Sequence, residues 1–253
     1  MSINPAVLSD VARKLARAHR GGERVKIAPD FLNALSRGDA LAIQTELAQA
    51  LAPSRAAWKV ARLDDGDLIS APIVGNRLFE SPGRLSQDIY GLGGIECELA
   101  FRIGHPLSAT DKEWSRYNVL DAIDGVSVAV EICDSRWAVG FDTPRNAMLA
   151  DLLANAALIV GPTETDWRSI AFEKINGRLI INGAIQREAA GRAGADLVDL
   201  VVLLANDLRN RGHALKVGDF IATGSYTGFH KASPGDRIVA EFGGLKSVFV
   251  VLE

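Results

Sequence analysis

The chain has few of the features that mark secreted, membrane-spanning or nucleic-acid-binding proteins. Only two of its 253 residues are cysteine, so no disulfide framework is expected and a cytoplasmic location is favoured. The longest apolar run, residues 197–205, falls short of the roughly 18 residues that a membrane span needs. The first ten residues lack a basic segment followed by an apolar one, so no secretory signal is expected. The net charge of −3 and the lack of a basic stripe predict neither nucleic acid nor a membrane as partner.

Hydrophobic residues make up 48% of the chain, which is enough for a sizeable core. Their periodicity predicts a helical N-terminal lobe over residues 1–60 and a β-rich body over residues 61–253, which together form one functional unit. Asn4 is the expected cap of the first helix, and Thr110 that of the third. The first predicted helix begins at Pro5 and ends before Gly21-Gly22. Further helices are predicted over residues 39–51, 111–123 and 196–211. The predicted strands cover residues 94–104, 125–133, 156–161, 220–223, 237–242 and 247–252, with a hairpin over residues 171–181 turning at Asn176-Gly177.

Two carboxylates stand two residues apart in the predicted strand of residues 94–104. Side chains at that spacing project from the same face of a sheet, so Glu96 and Glu98 are expected side by side. Like charges this close raise each other's pKa unless a cation lies between them, and hard divalent cations prefer carboxylate oxygen. The strand therefore predicts a metal site. The alternative is the solvated outer face of an antiparallel strand.

A third carboxylate, Glu131, falls within the nearly continuous apolar run of residues 126–134. Such a run predicts a strand covered on both faces, where an unpaired carboxylate is strongly unfavourable. Metal coordination would offset that cost, and three carboxylates from two strands suit one octahedral ion. The alternative is an ion pair between Glu131 and either Arg136 or Lys59.

The two cysteines lie close to these carboxylates in the sequence. Cys97 should point away from Glu96 and Glu98, whereas Cys133, two residues beyond Glu131, should share the face of that carboxylate. Because a thiolate is a poor ligand for a hard cation, we interpret both cysteines as buried apolar residues.

Five motifs between residues 40 and 253 occur in an order characteristic of one enzyme superfamily. They are Trp58-Lys59-Val60, Glu96-Cys97-Glu98-Leu99-Ala100-Phe101, Glu131-Ile132-Cys133-Asp134-Ser135-Arg136, Gly218-Asp219 with Thr223-Gly224-Ser225, and Pro234-Gly235-Asp236 with Glu241-Phe242-Gly243-Gly244-Leu245. Through them the chain resembles the fumarylacetoacetate hydrolase superfamily. Within it, the chain is most similar to the branch of 2-keto-4-pentenoate hydratases and 4-oxalocrotonate decarboxylases.

The resemblance implies a fold, a cofactor and a set of site residues. The fold would be α+β, a mixed β-sandwich or β-roll of the fumarylacetoacetate hydrolase C-terminal-domain type with a small helical N-terminal lobe. The cofactor would be a divalent cation, Mg²⁺ or Mn²⁺ with Ca²⁺ as a further option. Its ligands would be Glu96, Glu98 and Glu131.

The resemblance also assigns residues that act on the substrate. Lys59 would be the catalytic proton donor or acceptor, and its apolar neighbours predict burial and a lowered pKa. Arg136, Thr223 and Ser225 would bind the substrate. For the two hydroxyl residues, a plain strand-to-turn transition is an equally good explanation.

The reaction implied by the resemblance is a metal-dependent hydration. A hydratase of this kind is a lyase that acts on a 2-oxo or 2-hydroxy-dienoate acid through a metal-stabilised enolate, as in aromatic-compound catabolism. Alternatives are decarboxylation of a 2-oxo-3-enedioate, acylpyruvate-type C–C hydrolysis, and a non-catalytic family member acting as a binding or activating subunit. The partners would be a small 2-oxo acid and further copies of the chain in a homo-oligomer.

One segment departs from the superfamily pattern. Residues 151–158 stand where the superfamily carries Asp-x-x-Ala-Asp-Asn-Ala-Ser, and Asn155, Ala156 and Leu158 replace its second Asp, its Asn and its Ser. The lost hydrogen-bonding groups predict that the altered segment, residues 142–158, reshapes the substrate pocket and that turnover of the simple 2-hydroxypenta-2,4-dienoate is poor. The alternative is one helix over residues 149–156 that packs on the sheet away from the site.

Overall fold

The computed structural model describes residues 3–52, 55–63, 65–74, 76–190 and 196–253. The helices in these ranges are α1 (Pro5–His19), α2 (Pro29–Ala34), α3 (Arg37–Leu51), α4 (Gln87–Tyr90), α5 (Arg116–Ala122), α6 (Arg145–Ala150) and α7 (Leu197–Asn210). The strands are β1 (Arg55–Arg62), β2 (Leu68–Val74), β3 (Leu78–Glu80), β4 (Gly83–Leu85), β5 (Gly94–Ile103), β6 (Ile123–Cys133), β7 (Asn155–Val160), β8 (Asn176–Ile181), β9 (Ala184–Ala190), β10 (Phe220–Ala222), β11 (His230–Lys231), β12 (Arg237–Phe242) and β13 (Val248–Leu252). Among these helices, none has both the length and the hydrophobicity required to cross a lipid bilayer.

The strands form two mixed sheets. The larger sheet has the order β2-β1-β10-β5-β6-β7-β3, and β11 pairs with the start of β5. The smaller sheet has the order β4-β13-β12-β8-β9. The pairs β1–β10, β3–β7 and β4–β13 are parallel, and the other neighbours in the two sheets are antiparallel. The α+β class and the mixed β-sandwich predicted from the sequence are confirmed.

One face of the larger sheet, the sandwich face, packs against the smaller sheet and α7. Its buried side chains are Trp58, Cys97, Leu99, Phe101, Val128, Val130 and Ile159. They share one apolar core with Leu179, Leu204, Phe242 and Val250. Burial of this many large apolar side chains provides the main stabilising term of the body.

The opposite face of the larger sheet, the acidic face, carries the charged residues singled out in the sequence. Glu96 lies opposite Glu131 across the β5–β6 pair, and Glu98 lies opposite Ala129. Directly opposite residues project from the same side of a sheet. Around the carboxylates this face is apolar, with buried Ala57, Ala100, Ala129, Leu158 and Ala222. Strand β6 is therefore covered on both faces, as its continuous apolar sequence predicts.

The N-terminal helices form a lobe in which α1 and α3 pack together and α3 packs on α6. Asn4 caps α1 as expected, because its side chain accepts a hydrogen bond from the backbone nitrogen of Ala6. The core of the lobe comprises Leu15, Ile43, Leu47, Leu149 and Ala150. The domain boundary expected at residue 60 falls inside β1, a strand of the larger sheet.

The hairpin predicted over residues 171–181 is displaced along the chain. Its turn lies at Asn182 and Gly183, between β8 and β9, where φ is +53° and +81°. Positive φ at both central residues is the geometry that favours Asn-Gly in tight hairpins. The predicted turn at Asn176-Gly177 is wrong because these residues begin β8. A Cβ atom at Gly177 would lie 2.7 Å from the ring of Phe242, so glycine is needed there for close packing.

Two helix predictions also need correction. The helix predicted over residues 111–123 is α5, and it begins at Arg116 because Ser115 and Asn118 form a capping box there. The expected cap at Thr110 is therefore wrong. The alternative of one helix over residues 149–156 is also wrong. Helix α6 ends at Ala150, and the next residues leave the helical path through a left-handed turn with φ of +53°, +55° and +56° at Leu152, Leu153 and Ala154.

Candidate active site

Strands β1, β5 and β6 of the larger sheet bring Lys59, Glu96 and Glu131 together on the acidic face, with the short strand β10 between β1 and β5. The Lys59 ammonium lies 2.8 Å from Glu131 Oε1 and 3.2 Å from Glu96 Oε2. The side chains of Lys59 and Glu96 are 12% and 18% exposed, and that of Glu131 is fully buried. Of the two ion pairs considered for Glu131, the one with Lys59 is the one formed.

Glu98 lies deeper on the same face. Its side chain is fully buried, and its Oε2 accepts a hydrogen bond of 3.0 Å from the backbone nitrogen of Gly224. Its other oxygen, Oε1, and Oε2 of Glu131 are both buried, and while the two carboxylates are ionised they accept no hydrogen bond from the described residues. The solvated outer face considered as an alternative for Glu96 and Glu98 is therefore wrong.

The crowding of charges changes the protonation of the cluster. Burial, reinforced by the charge of Glu131, raises the pKa of Glu98 well above its usual value. Burial also raises the pKa of Glu131, although Lys59 works against this. Burial alone would lower the pKa of Lys59, but the charges of Glu131 and Glu96 raise it well above its usual value. The lowered pKa expected for Lys59 is wrong while its ammonium lies between these carboxylates.

The chemistry of the cluster fits a divalent cation. Two buried carboxylate oxygens, one each from Glu98 and Glu131, lack a donor among the described residues. Leaving such acceptors unpaired in an apolar surrounding is costly. A cation satisfies them, and Mg²⁺, Mn²⁺ and Ca²⁺ all take carboxylate oxygen ligands.

The two cysteines lie on opposite faces of the sheet, as the sequence predicts. Cys97 is buried in the sandwich core. Cys133 Sγ lies on the acidic face, 3.6 Å from Glu96 Oε2 and 3.8 Å from Glu131 Oε1. The alternation of side chains along a strand is the reason, because Cys133 follows Glu131 by two residues on β6.

Arg136 lies just beyond β6 and is held by Asp151. Its backbone nitrogen and Nε donate to the two carboxylate oxygens of Asp151 at 2.7 and 2.8 Å, and its Nη2 donates to the Asp151 carbonyl. His19 Nε2 lies 3.3 Å from the same carboxylate. The substrate-binding role expected of Arg136 stays a prediction, and its observed contacts anchor the end of α1 and the left-handed turn.

The turn after β10 contributes a backbone group to the cluster. Thr223 Oγ1 donates to the carbonyl of Leu99 at 2.9 Å, and Ser225 Oγ donates to the carbonyl of Gly228 at 3.3 Å. Between them, Gly224 points its N–H at Glu98. The substrate-binding roles expected of Thr223 and Ser225 stay predictions.

Two aromatic residues, Phe229 and Phe141, border the acidic face and were not singled out in the sequence. The ring of Phe229 lies over Gly94, which shares the face of Glu96, and packs edge-on against Phe141 at 4.6 Å between centroids. Glycine at position 94, two residues before Glu96, is the signal that could have suggested a close contact there. These aromatic rings form an apolar rim beside the carboxylates.

Two residues of the altered segment lie opposite acidic-face residues of β6, Asn155 opposite Cys133 and Leu158 opposite Glu131. The Asn155 amide is held by the carbonyls of Pro72 and Leu152. Leu158 is buried and lies opposite Glu131 in the β6–β7 pair, so it borders the cluster. Ala156 belongs to the sandwich core instead. The effect on substrate preference stays a prediction, and Leu158 is the residue through which it would act.

Known proteins share both sequence and fold with this chain. It is 32% identical to a 4-oxalocrotonate decarboxylase of Pseudomonas putida over 156 residues, which are 61% of this chain and 58% of the relative. It is 30% identical to a 4-oxalocrotonate decarboxylase of Pseudomonas sp. (strain CF600) over 155 residues, with the same coverage of 61% and 58%. The matched part therefore spans 58% of the length of each curated relative.

A solved structure matches along the whole chain. It is 4-oxalocrotonate decarboxylase from Pseudomonas putida G7, complexed with magnesium and adipate. The TM-score is 0.86 at 21% identity, over 100% of this chain and 99% of that one, which shows a shared fold. In sequence, residues 87–250 match the fumarylacetoacetate (FAA) hydrolase C-terminal family. Because this match covers more than half of the 253 residues, the chain belongs to that family.

Proposed function

We propose that this protein is a divalent-metal-dependent enzyme that decarboxylates a 2-oxo dicarboxylic acid of the 4-oxalocrotonate type. The observation that carries the proposal is the buried cluster of Glu96, Glu98, Glu131 and Lys59, with two carboxylate oxygens that lack donors among the described residues. The names of the curated relatives support decarboxylation over the hydration favoured by the motifs alone. A homo-oligomeric assembly and a cytoplasmic location remain predictions.

In this proposal the three carboxylates hold the cation. Glu98 is fixed by Gly224, and Glu96 and Glu131 face each other across β5 and β6. When bound, the cation would supply Lewis-acid polarisation of the 2-oxo acid oxygens. The apolar surroundings of the acidic face exclude water and strengthen these charge interactions.

Lys59 is the proposed proton donor. Loss of CO₂ leaves an electron pair that is delocalised towards the 2-oxo group, and the carbon skeleton must then receive a proton. A lysine ammonium carries a proton that it can donate to a carbon or oxygen within hydrogen-bond reach. Because Lys59 lies between the oxygens of Glu96 and Glu131, binding of a cation by those oxygens would direct the ammonium towards the substrate.

The proposal is tested with purified protein that has been treated with a chelator and then supplied with Mg²⁺ or Mn²⁺. We expect metal-dependent loss of the ultraviolet absorbance of 4-oxalocrotonate together with release of one CO₂ per substrate. Glu98→Ala should abolish this turnover, whereas Glu80→Ala, a matched change at an exposed strand residue of the same sheet, should retain it. Turnover that is equal with and without metal would contradict the proposal.

Hydration is the second candidate, because the glutamate motifs match the hydratase branch. Its test is the same protein with 2-hydroxypenta-2,4-dienoate. We expect weak activity, since Leu158 stands beside Glu131 in place of a hydroxyl residue. A kcat/KM above about 10⁵ M⁻¹s⁻¹ would establish hydration and show that Leu158 does not control specificity. If neither substrate reacts although Mn²⁺ binds, a binding or activating subunit becomes the better interpretation.

A further inference from the structure

We propose that Cys133 is a sulfur ligand of the carboxylate centre. The centre would then bind borderline and soft divalent cations, such as Zn²⁺, Co²⁺ and Cd²⁺, more tightly than three carboxylates alone allow. The inference rests on the proposed function, because it uses the same carboxylates. It extends that function by assigning a ligand and a metal preference.

The atoms already stand at ligand spacing. Glu96, Glu131 and Cys133 each present one ligand atom, and these three atoms lie within 4.8 Å of one another. Zinc bonds of about 2.1 Å to oxygen and 2.3 Å to sulfur, at a tetrahedral angle, place the two ligand atoms about 3.6 Å apart. The observed distances from Cys133 Sγ are 3.6 Å to Glu96 Oε2 and 3.8 Å to Glu131 Oε1. A tetrahedral ion therefore needs little movement of these three side chains, but the Lys59 ammonium, which contacts the same two oxygens, would have to move away.

The buried oxygens without donors are a second observation that points to a cation in this carboxylate cluster. Glu131 is fully buried, and its Oε2 accepts no hydrogen bond from the described residues. The same holds for Oε1 of Glu98, the neighbouring carboxylate. When its three carboxylates are ionised, the cluster carries more negative charge than Lys59 alone neutralises, and a divalent ion would supply the missing positive charge.

The position of Cys133 is set by its neighbour across the strand pair. Gly94 lies opposite Cys133, and a Cβ atom at Gly94 would lie 2.9 Å from the Cys133 Cβ. Glycine therefore lets the cysteine sit close to β5, with its sulfur towards the carboxylates. Cys97, by contrast, lies in the apolar sandwich core.

Ligand softness gives the predicted preference. Thiolate sulfur favours Zn²⁺, Co²⁺ and Cd²⁺, whereas Mg²⁺ and Mn²⁺ favour oxygen. Adding one sulfur to an oxygen set should therefore raise affinity for the first group and leave affinity for the second nearly unchanged. The proposal concerns binding, so it can be measured without substrate.

The experiment titrates chelator-treated protein with Mn²⁺, followed by electron paramagnetic resonance, and with Cd²⁺, followed by the ultraviolet thiolate-to-metal charge-transfer band. The wild-type protein should show both Mn²⁺ binding and the band. Cys133→Ala and Cys133→Ser should lose the band and bind Cd²⁺ at least about tenfold more weakly, with Mn²⁺ affinity unchanged. Cys97→Ala should keep the band. Because the chain has two cysteines, retention in that variant assigns the sulfur to Cys133 even if the Cys133 variants fail to fold.

Each contrary outcome has a distinct meaning. Mn²⁺ binding without a Cd²⁺ band in the wild type, or a band that survives in a folded Cys133 variant, overturns the inference and leaves the proposed function intact. Loss of the band in a folded Cys97→Ala variant also overturns the inference. Failure of the wild-type protein to bind either ion overturns both the inference and the proposed function.

Discussion

Burial raises the pKa of Glu98. Above that raised pKa, where its carboxylate is ionised, replacing Glu98 by glutamine should stabilise the chelator-treated protein and at the same time remove its response to metal. Glu98 Oε1 and Glu131 Oε2 are buried acceptors without donors among the described residues. Glutamine keeps one oxygen to accept the Gly224 N–H and adds an NH₂ group that can donate to Glu131. The variant thus satisfies in a neutral way what a cation satisfies in the wild type.

The magnitude follows from the number of unpaired groups. Each unsatisfied buried acceptor costs about 1–3 kcal/mol, so pairing one of them should raise the melting temperature of this 253-residue chain by about 2–12 °C. In the wild type, a cation at one hundred times its Kd should add about 2.7 kcal/mol. Glu98→Gln lacks one negative ligand, and this metal-dependent gain should largely disappear.

The assay is thermal unfolding of the wild type and Glu98→Gln, each with chelator and with excess Mg²⁺ or Mn²⁺. Glu80→Gln, an exposed change in the same sheet, is the matched control and should follow the wild type. A Glu98→Gln variant that melts below the wild type in chelator, yet keeps the full metal-dependent gain, would refute the reasoning. It would mean that the unpaired Glu98 oxygen does not destabilise the protein and that Glu98 is not a metal ligand.

Three further predictions concern other side chains. Lys59→Met should lower kcat by about 10²–10⁴-fold, as for a lost general acid, with a much smaller change in Mn²⁺ affinity; unchanged turnover would exclude its role. Burial lowers the pKa of His19 from 6.5 to about 4. Between these pH values the unfolded chain binds a proton at His19 and the folded protein does not. About 3 kcal/mol of stability present above pH 6.5 should therefore be lost as the pH falls to about 4. In urea unfolding this loss should be absent from His19→Gln and retained in His105→Gln, a change at an exposed histidine. Phe229→Ala should raise KM about two- to tenfold with little change in kcat, because its ring and Phe141 border the acidic face. A KM equal to that of the wild type would show that the ring does not contact the substrate.

Local chemistry made several elements predictable. Asn4 before Pro5 predicted the start of α1, since a cap acts on the backbone nitrogens next to it. The apolar run around Glu131 predicted a strand buried on both faces. The cap predicted at Thr110 and the turn predicted at Asn176-Gly177 were wrong because a second residue pair of the same kind lay nearby in each case. Ser115 with Asn118, and Asn182 with Gly183, prevailed because they fit the packing of the neighbouring helices and strands.

The sequence by itself determined that Glu96 and Glu98 share one face of β5, and that Cys133 shares the face of Glu131. Strand periodicity is a local property with a period of two residues, so it can be derived from spacing alone. Only the tertiary structure decided that Glu131 lies opposite Glu96, that Lys59 from β1 lies between them, and that Arg136 pairs with Asp151. These contacts depend on strand order and register. Both are set by the burial of the apolar side chains on the two faces of the sheet.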